Sequence, residues 1–524
     1  MSALKVGNKV GFREDYLFWN LTKTLMGTYG YQLITMTNTH NEIWLENEQS
    51  HMYPVVRLMR HDFNWANVLK NDLQRTAVNG ENIRKKLFKK PLSVLNLYVT
   101  QFKPVDDYES LMKEEIENNK TKITSVLLDS ESLVEELLSL EEKLAIPLRQ
   151  LEDMPDEVEE EDVKRVKQET LAFAAQKRQE QQQVFSNGKP FFTKLFLLIQ
   201  IIVFVLMEIS GSSESTKTLV EFGAKFNPYI LSGEWWRFIT PIFVHIGVLH
   251  LLMNSVSLYY IGSEVEKIYG SLRFFFIYMF AGFAGVLGSF IFTPSLSAGA
   301  SGAIFGCFGA LLYFGLMYRK LFFRTMGLNI IVLILINLSF GFTMPGIDNA
   351  GHLGGLIGGF VAAAAVGLPK KMKPAYNLVA AILILGSSYW LLNYGMDKQR
   401  LTNQDNSITP LVQEYLADGE TDKAKEVLTT FIDQQLISAN AYFLLGNINI
   451  EEENYEEAAL DYQEAIQLNE DFHQAYYNLS LVYLEQGELE NAKANIEKAV
   501  ELNPSDKAYE EMYATIMKAY NKQQ

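Results

Sequence analysis

The sequence predicts a polytopic α-helical membrane protein, with a soluble α/β domain ahead of its membrane segments and an all-α repeat domain behind them. Three observations carry this. Seven apolar segments, each near the length that a hydrocarbon core demands, lie between Phe191 and Tyr394. The first hundred residues alternate short strand-like apolar runs with segments of helical period. Beyond Leu401, residue types recur every 34 positions.

A chain of 524 residues exceeds one ordinary core. The mean hydropathy of -0.01 averages a very apolar middle with polar ends. The net charge of -16 is just as uneven: from Leu401 onward 24 Asp and Glu face 7 Lys and Arg, which leaves the first 400 residues near +1. The acidity belongs to the tail and argues against nucleic-acid binding there. Cys307 is the single cysteine, so there is no intramolecular disulfide framework, and in an apolar helix it reads as a small buried hydrophobe.

The N-terminal domain spans residues 1–105 and opens with no signal-like apolar run. Tyr16–Tyr29 reads as an amphipathic helix. Gly30–Met36, Glu42–Asn47 and Tyr53–Met59 read as strands separated by polar turns, Trp65–Lys89 as helix and Ser93–Phe102 as a fourth strand. The order α-β-β-β-α-β resembles, in shape alone, the nuclease-like core of restriction endonucleases, without its acidic and lysine motif. Residues 106–190 are charged and helix-prone. Leu133, Leu137, Leu140 and Leu144 share one face, the acidic run Asp156–Asp162 interrupts the pattern, and the segment reads as a helical stalk leading to the membrane.

The membrane domain covers 191–396. Its segments run over Phe191–Ile209, Gly247–Ile261, Phe274–Phe292, Ala298–Leu316, Leu328–Met344, Ala350–Leu368 and Tyr376–Tyr394. The connections after the fourth and sixth carry Arg319, Lys320, Arg324 and Lys370, Lys371, Lys373, whereas those after the third and fifth carry no Lys or Arg. By the positive-inside rule the charged loops are cytoplasmic, so the N-terminal domain lies inside and the tail outside a cell membrane crossed seven times.

The tail, 397–524, repeats itself. Ala424, Ala458 and Ala492 are 34 apart, as are Tyr442 and Tyr476, Leu445 and Leu479, Ala465 and Ala499, and Asn469 and Asn503. Small residues at helix-crossing positions and Asn503-Pro504 closing a unit make this the tetratricopeptide pattern, whose concave surface suits a protein or peptide ligand.

The second, fourth and sixth segments run in the same direction, and each carries a polar residue at its start. His250, Ser301 and His352 lie roughly 3 to 5 Å along their helices at about 1.5 Å per residue, so they share one layer. Asn254 is one turn below His250 on the same face. Gly302 and Gly306, and Gly351, Gly355 and Gly359, clear one face of each helix for close approach and bring Ser301 toward His352. Polar groups at this depth are costly, which speaks for function. A serine hydroxyl needs a base, and neutral His352 supplies one. The backbone N–H of Ser301 and the side chains of His250 and Asn254 can receive an oxyanion. The nearest acid, Asp348, sits in the preceding loop, so the site reads as a Ser-His dyad.

These residues resemble the rhomboid intramembrane serine proteases over about Glu234–Gly367. Gly299-Ala300-Ser301-Gly302 matches the family's nucleophile motif, AGHLGG around His352 with Gly355 and Gly359 its histidine helix, and HIGVLHLLMN its second helix. The resemblance gives His250 and Asn254 the oxyanion role, makes His245 a further family-typical histidine and equates Trp236-Arg237 with the Trp-Arg pair of the large first loop. Phe305 stands where a tyrosine often packs on the histidine ring, and a phenyl ring can stack there too. The soluble N-terminal domain, seventh helix and repeat tail resemble the large bacterial members. The family implies membrane-protein substrates cut in or near a transmembrane segment, without metal or cofactor.

The alternative is a catalytically inactive rhomboid-like adaptor that binds membrane proteins and presents them to partners; it would have lost the serine or the histidine, and both are present. A transporter would show repeat symmetry between helix halves, which is not found. His40, His51 and His61 beside Glu42, Glu46 and Asp62 match no standard zinc spacing, so no metal is assigned.

Overall fold

A computed structural model describes residues 11–88, 90–129, 133–148, 151, 155, 158–344, 346–400, 405–434, 436 and 438–523. The chain divides into two compact units, 1–183 and 184–524.

The first unit is a six-stranded sheet between helices. Helix α1 (Phe12–Gly27) leads into β1 (Gln32–Met36), β2 (Glu42–Glu46) and β3 (Val55–Arg60), followed by α2 (Ala66–Ile83) and β4 (Leu92–Val99). These are the elements expected from the sequence; Lys89, at the end of the expected helix, lies outside the described residues. The chain then continues through α3 (Glu109–Lys113), β5 (Ile116–Asn118), β6 (Thr121–Leu128), α4 (Leu133–Leu144) and α5 (Glu160–Gln183). The sheet order is β1-β2-β3-β4-β6-β5, with β3, β4 and β6 parallel and the other pairs antiparallel.

The separate stalk at 106–190 is therefore a misreading. The run Thr121–Leu128, rich in β-branched residues, pairs with β4 along its whole length. Leu133, Leu137, Leu140 and Leu144 do share a face, but they bury it with Leu95, Leu97 and Val126 of the sheet. Helix α5 packs on α1, where Thr170 is buried. High charge hid a strand whose partner lies far off in sequence. Asp156, which opens the acidic run, lies outside the described residues.

On the face covered by α2, buried Arg57 donates to Glu42 (2.8 Å), Asp72 (2.8 Å) and the side-chain amide oxygen of Asn96 (2.9 Å). Burial pushes both carboxyls up, but hydrogen bonds and charge from Arg57 outweigh it and hold each below the usual carboxylate range.

The second unit begins with α6 (Phe192–Ser210), whose N-terminus is capped by Glu266 accepting from the backbone of Phe191, Phe192 and Thr193. A long loop carries α7 (Thr216–Glu221), α8 (Asn227–Leu231) and two 3-10 turns, Trp235–Phe238 and Thr240–Phe243. Helix α9 (Gly247–Ser257) runs through a π turn (Leu258–Gly262) into α10 (Ser263–Tyr269). Then follow α11 (Ser271–Phe292), α12 (Ser301–Met317), α13 (Arg319–Thr325), α14 (Gly327–Thr343), α15 (Asn349–Val366) and α16 (Pro374–Arg400). Among the described residues four helices, α6, α11, α15 and α16, are long and apolar enough to cross a bilayer; α13 and α14 together make a fifth, bent by 72°.

Helix length alone thus does not establish seven crossings. Helix α12 has only 17 residues because the expected helical start, Ala298, is extended chain instead. Exposed Leu378, Ile382, Leu385, Tyr389 and Trp390 give α16 an apolar surface suited to lipid.

Among the described residues the tail forms seven helices: α17 (Asp405–Ala417), α18 (Thr421–Asp433), α19 (Ala439–Glu451), α20 (Tyr455–Leu468), α21 (His473–Glu485), α22 (Leu489–Leu502) and α23 (Lys507–Gln523). Ala424, Ala458, Ala492, Ala465 and Ala499 are fully buried, as their repeat positions require. Helix α17 is docked on the long loop, where Glu414 accepts from Ser215 Oγ and from the N–H groups of Thr216 and Lys217 at the start of α7. Ser407 Oγ donates to the Pro294 carbonyl.

Candidate active site

Three helices start around one cavity. Ser301 is the first residue of α12, His352 lies in the first turn of α15 and His250 in the first turn of α9. His352 Nε2 is 2.9 Å from Ser301 Oγ. The Phe305 ring stacks on the His352 imidazole, with centroids 4.3 Å apart and planes inclined by 14°. His352 Nδ1 has no hydrogen-bond partner among the described residues. Asp348 is turned elsewhere: its carboxylate caps α15 through the Gly351 N–H (2.9 Å) and accepts from Ser297 Oγ (2.7 Å).

The close approach of these helices is a backbone matter. A Cβ on Gly355 would lie 1.9 Å from the Gly302 carbonyl oxygen, and one on Gly359 2.0 Å from that of Gly306, so α12 and α15 touch main chain to main chain. Helix α11 joins the seam through Gly285 and Gly288, whose added Cβ atoms would meet the Gly351 and Ala350 carbonyls at 2.9 and 2.8 Å. These two glycines stand three apart, which also places them on one face of an apolar helix, but they lie outside the i, i+4 pattern of α12 and α15. Gly299 is needed for a second reason. Its φ of +131° is a region that L side chains rarely adopt, and a Cβ there would sit 2.6 Å from His250 Cε1.

The cavity is about 680 Å³ and is lined by Ser301, His352, His250, Asn254, Gly299 and Phe305 among others. Asn254 Nδ2 donates to the His250 carbonyl (2.9 Å), which leaves a second amide hydrogen. His245 is fully buried behind the cavity and accepts from the Ala300 N–H (3.3 Å), steadying the turn before the serine. Trp236 and Arg237 do not line it. Arg237 is buried in the long loop, donating to the carbonyls of Val220 (2.8 Å) and Ala224 (2.9 Å), and Trp236 is exposed. In the first unit, Glu42 is taken up by Arg57, and Asp62 by Arg60 and the Gln101 N–H.

The Rhomboid domain family matches residues 232–369, and tetratricopeptide repeat families match 446–487 and 473–506. Rhomboid protease GluP of Bacillus subtilis (strain 168) is 38% identical over 474 residues, 90% of this chain and 92% of that protein. The putative rhomboid protease YdcA of the same organism is 38% identical over 26% of this chain and 69% of its own length. RHOMBOID-like protein 1 of Arabidopsis thaliana is 37% identical over 31% of this chain and 42% of its own length. Among solved structures, the MamA protein covers 28% of this chain and 73% of its own at 24% identity, with a TM-score of 0.21. The extent of the match, reaching across both flanking domains, places the chain in the rhomboid family, as a member with tetratricopeptide repeats at its C-terminus.

Proposed function

We propose that the protein is an intramembrane serine protease that hydrolyses peptide bonds in or near transmembrane segments of membrane proteins, with Ser301 as nucleophile and His352 as its base. The observation that carries this reading is the 2.9 Å contact between Ser301 Oγ and His352 Nε2 in the wall of an open cavity. His352 takes the hydroxyl proton as Oγ attacks the substrate carbonyl, then returns it to the leaving amine; water repeats the sequence on the acyl-enzyme. The Phe305 stack holds the imidazole plane in place of an acidic partner. The oxyanion is received by the Ser301 N–H at the helix start and by the side chains of His250 and Asn254.

Asn254→Ala tests the oxyanion role. Turnover per folded molecule is expected to fall roughly a hundredfold or somewhat less, because the other donors remain. The melting temperature in detergent should change little, since the His250 carbonyl keeps its helical bond. Native turnover with a sharply lowered melting point would remove Asn254 from the mechanism.

The chain crosses the membrane seven times in this reading, with α9–α10, α12 and α14 as the shorter crossings, the first unit cytoplasmic and the repeats outside. In a Cys307→Ser background, Ser505→Cys, exposed in the tail, should react with an impermeant thiol reagent on intact cells, and Gln49→Cys, exposed in the first unit, should not. The opposite labelling pattern inverts the topology. The repeats would take a protein or peptide ligand on their concave face.

A further inference from the structure

Ser301 is delivered by a non-helical strap, Thr293–Gly299, and a turn at Ala300, which together join two helices of the membrane domain. Such a segment has no internal ladder, so its position depends on what it is tied to. Lys225, in the long loop between α7 and α8, is fully buried against it. The Lys225 Nζ donates to the carbonyls of Thr293 (2.5 Å) and Ser295 (2.7 Å). Its backbone forms an antiparallel bridge with Ser297, N–H to carbonyl at 2.8 Å one way and 3.2 Å the other. The same Ser297 donates its hydroxyl to Asp348, and Asp348 caps the helix by accepting from the N–H of Gly351, the residue before His352.

We propose that Lys225 is a positioning residue for the reaction: it fixes the strap that sets Ser301 and, through Ser297 and Asp348, locks that strap to the helix carrying His352. This rests on the Ser301–His352 reading above. The glycine seam sets the separation of α12 and α15, His245 and the Pro241 carbonyl hold the N–H groups of Ala300 and Gly299 just before Ser301, and the Phe305 ring lies on His352; the earlier part of the strap is held by Lys225. Lys225 adds the tie that holds the strap itself, at Thr293, Ser295 and Ser297. Desolvation lowers the Lys225 amine to about 7 against the pull of the Asp348 carboxylate. Either protonation state carries the two hydrogens that the two carbonyls accept, so the tie does not depend on pH.

The test uses the full-length protein in detergent and a transmembrane reporter substrate. Lys225→Met keeps the bulk and removes the donors; kcat per folded molecule is expected to fall about 10- to 100-fold, the effect of a displacement near 1 Å at the reacting atoms, with KM nearly unchanged. Ser297→Ala should lower kcat in the same way and Ser297→Thr, which keeps the hydroxyl, should restore it. Independently of catalysis, amide hydrogen exchange in 293–300 should quicken when Lys225→Met is placed in a Ser301→Ala background. A wild-type protein that does not cleave overturns the catalytic reading itself. A cleaving wild type with a Lys225→Met variant of native kcat, or with unchanged strap exchange, overturns the positioning role. If Lys225→Met does not fold, native kcat in Ser297→Ala overturns it, and loss in Ser297→Ala restored by Ser297→Thr supports it.

Discussion

Ser301→Ala and His352→Ala are each expected to reduce cleavage of a reconstituted transmembrane reporter to background while leaving the protein folded in the membrane. The expected loss is about a millionfold in kcat, the scale seen when a serine nucleophile or its histidine is removed from a cooperating unit. In the proposed mechanism the two residues act as one device, since the serine is inert without a proton acceptor and the imidazole has nothing to activate without the hydroxyl. The double variant should therefore be no worse than either single one. Among the described residues His352 Nδ1 makes no bond to a carboxylate, so Asp348→Asn should cost far less than either. Purified Ser301→Ala that still cut at the native rate would show that another nucleophile does the work.

The second large effect is expected from a single methyl group. In Gly355→Ala the new Cβ would lie 1.9 Å from the Gly302 carbonyl oxygen, and backbone cannot swing aside as a side chain can. Helices α12 and α15 must separate, at a cost at or above the upper end of the usual overpacking range, about 3 kcal/mol. Because Ser301 and His352 sit on that same pair of helices, their 2.9 Å contact should open and activity should fall together with the melting temperature. Gly386→Ala in α16 is the control. It is exposed, nothing lies within 4 Å of its added Cβ, and alanine should leave stability equal or raise it by about 0.5–1 kcal/mol. A Gly355→Ala protein with native melting and native turnover would mean that the helices do not approach this closely.

Much of the site was legible because its signals are local. A serine between glycines at the head of an apolar segment, a histidine likewise placed and a glycine every fourth residue describe one helix face each. Two such faces can bury themselves only against each other. The stacking of Phe305 on His352 followed from the same spacing, since residues four apart on α12 stand one above the other. Trp236 and Arg237 were legible as a motif but not in their use: Arg237 serves the loop's own carbonyls and neither side chain enters the cavity.

The sequence by itself determined the apolar segments, the repeat tail with its buried alanines and the residues that converge, because each follows from periodicity along a single element. Only the tertiary structure decided the rest. Residues 121–128 are a strand because β4, remote in sequence, offers its edge, and Leu133 to Leu144 face inward because that sheet lies beneath them. Ser301 is the first residue of its helix, and the strap before it is tied by Lys225 to the Thr293 carbonyl and by Ser297 to Asp348. Those ties join three distant stretches of chain, and no pattern within any one of them records the partner that gives it its shape.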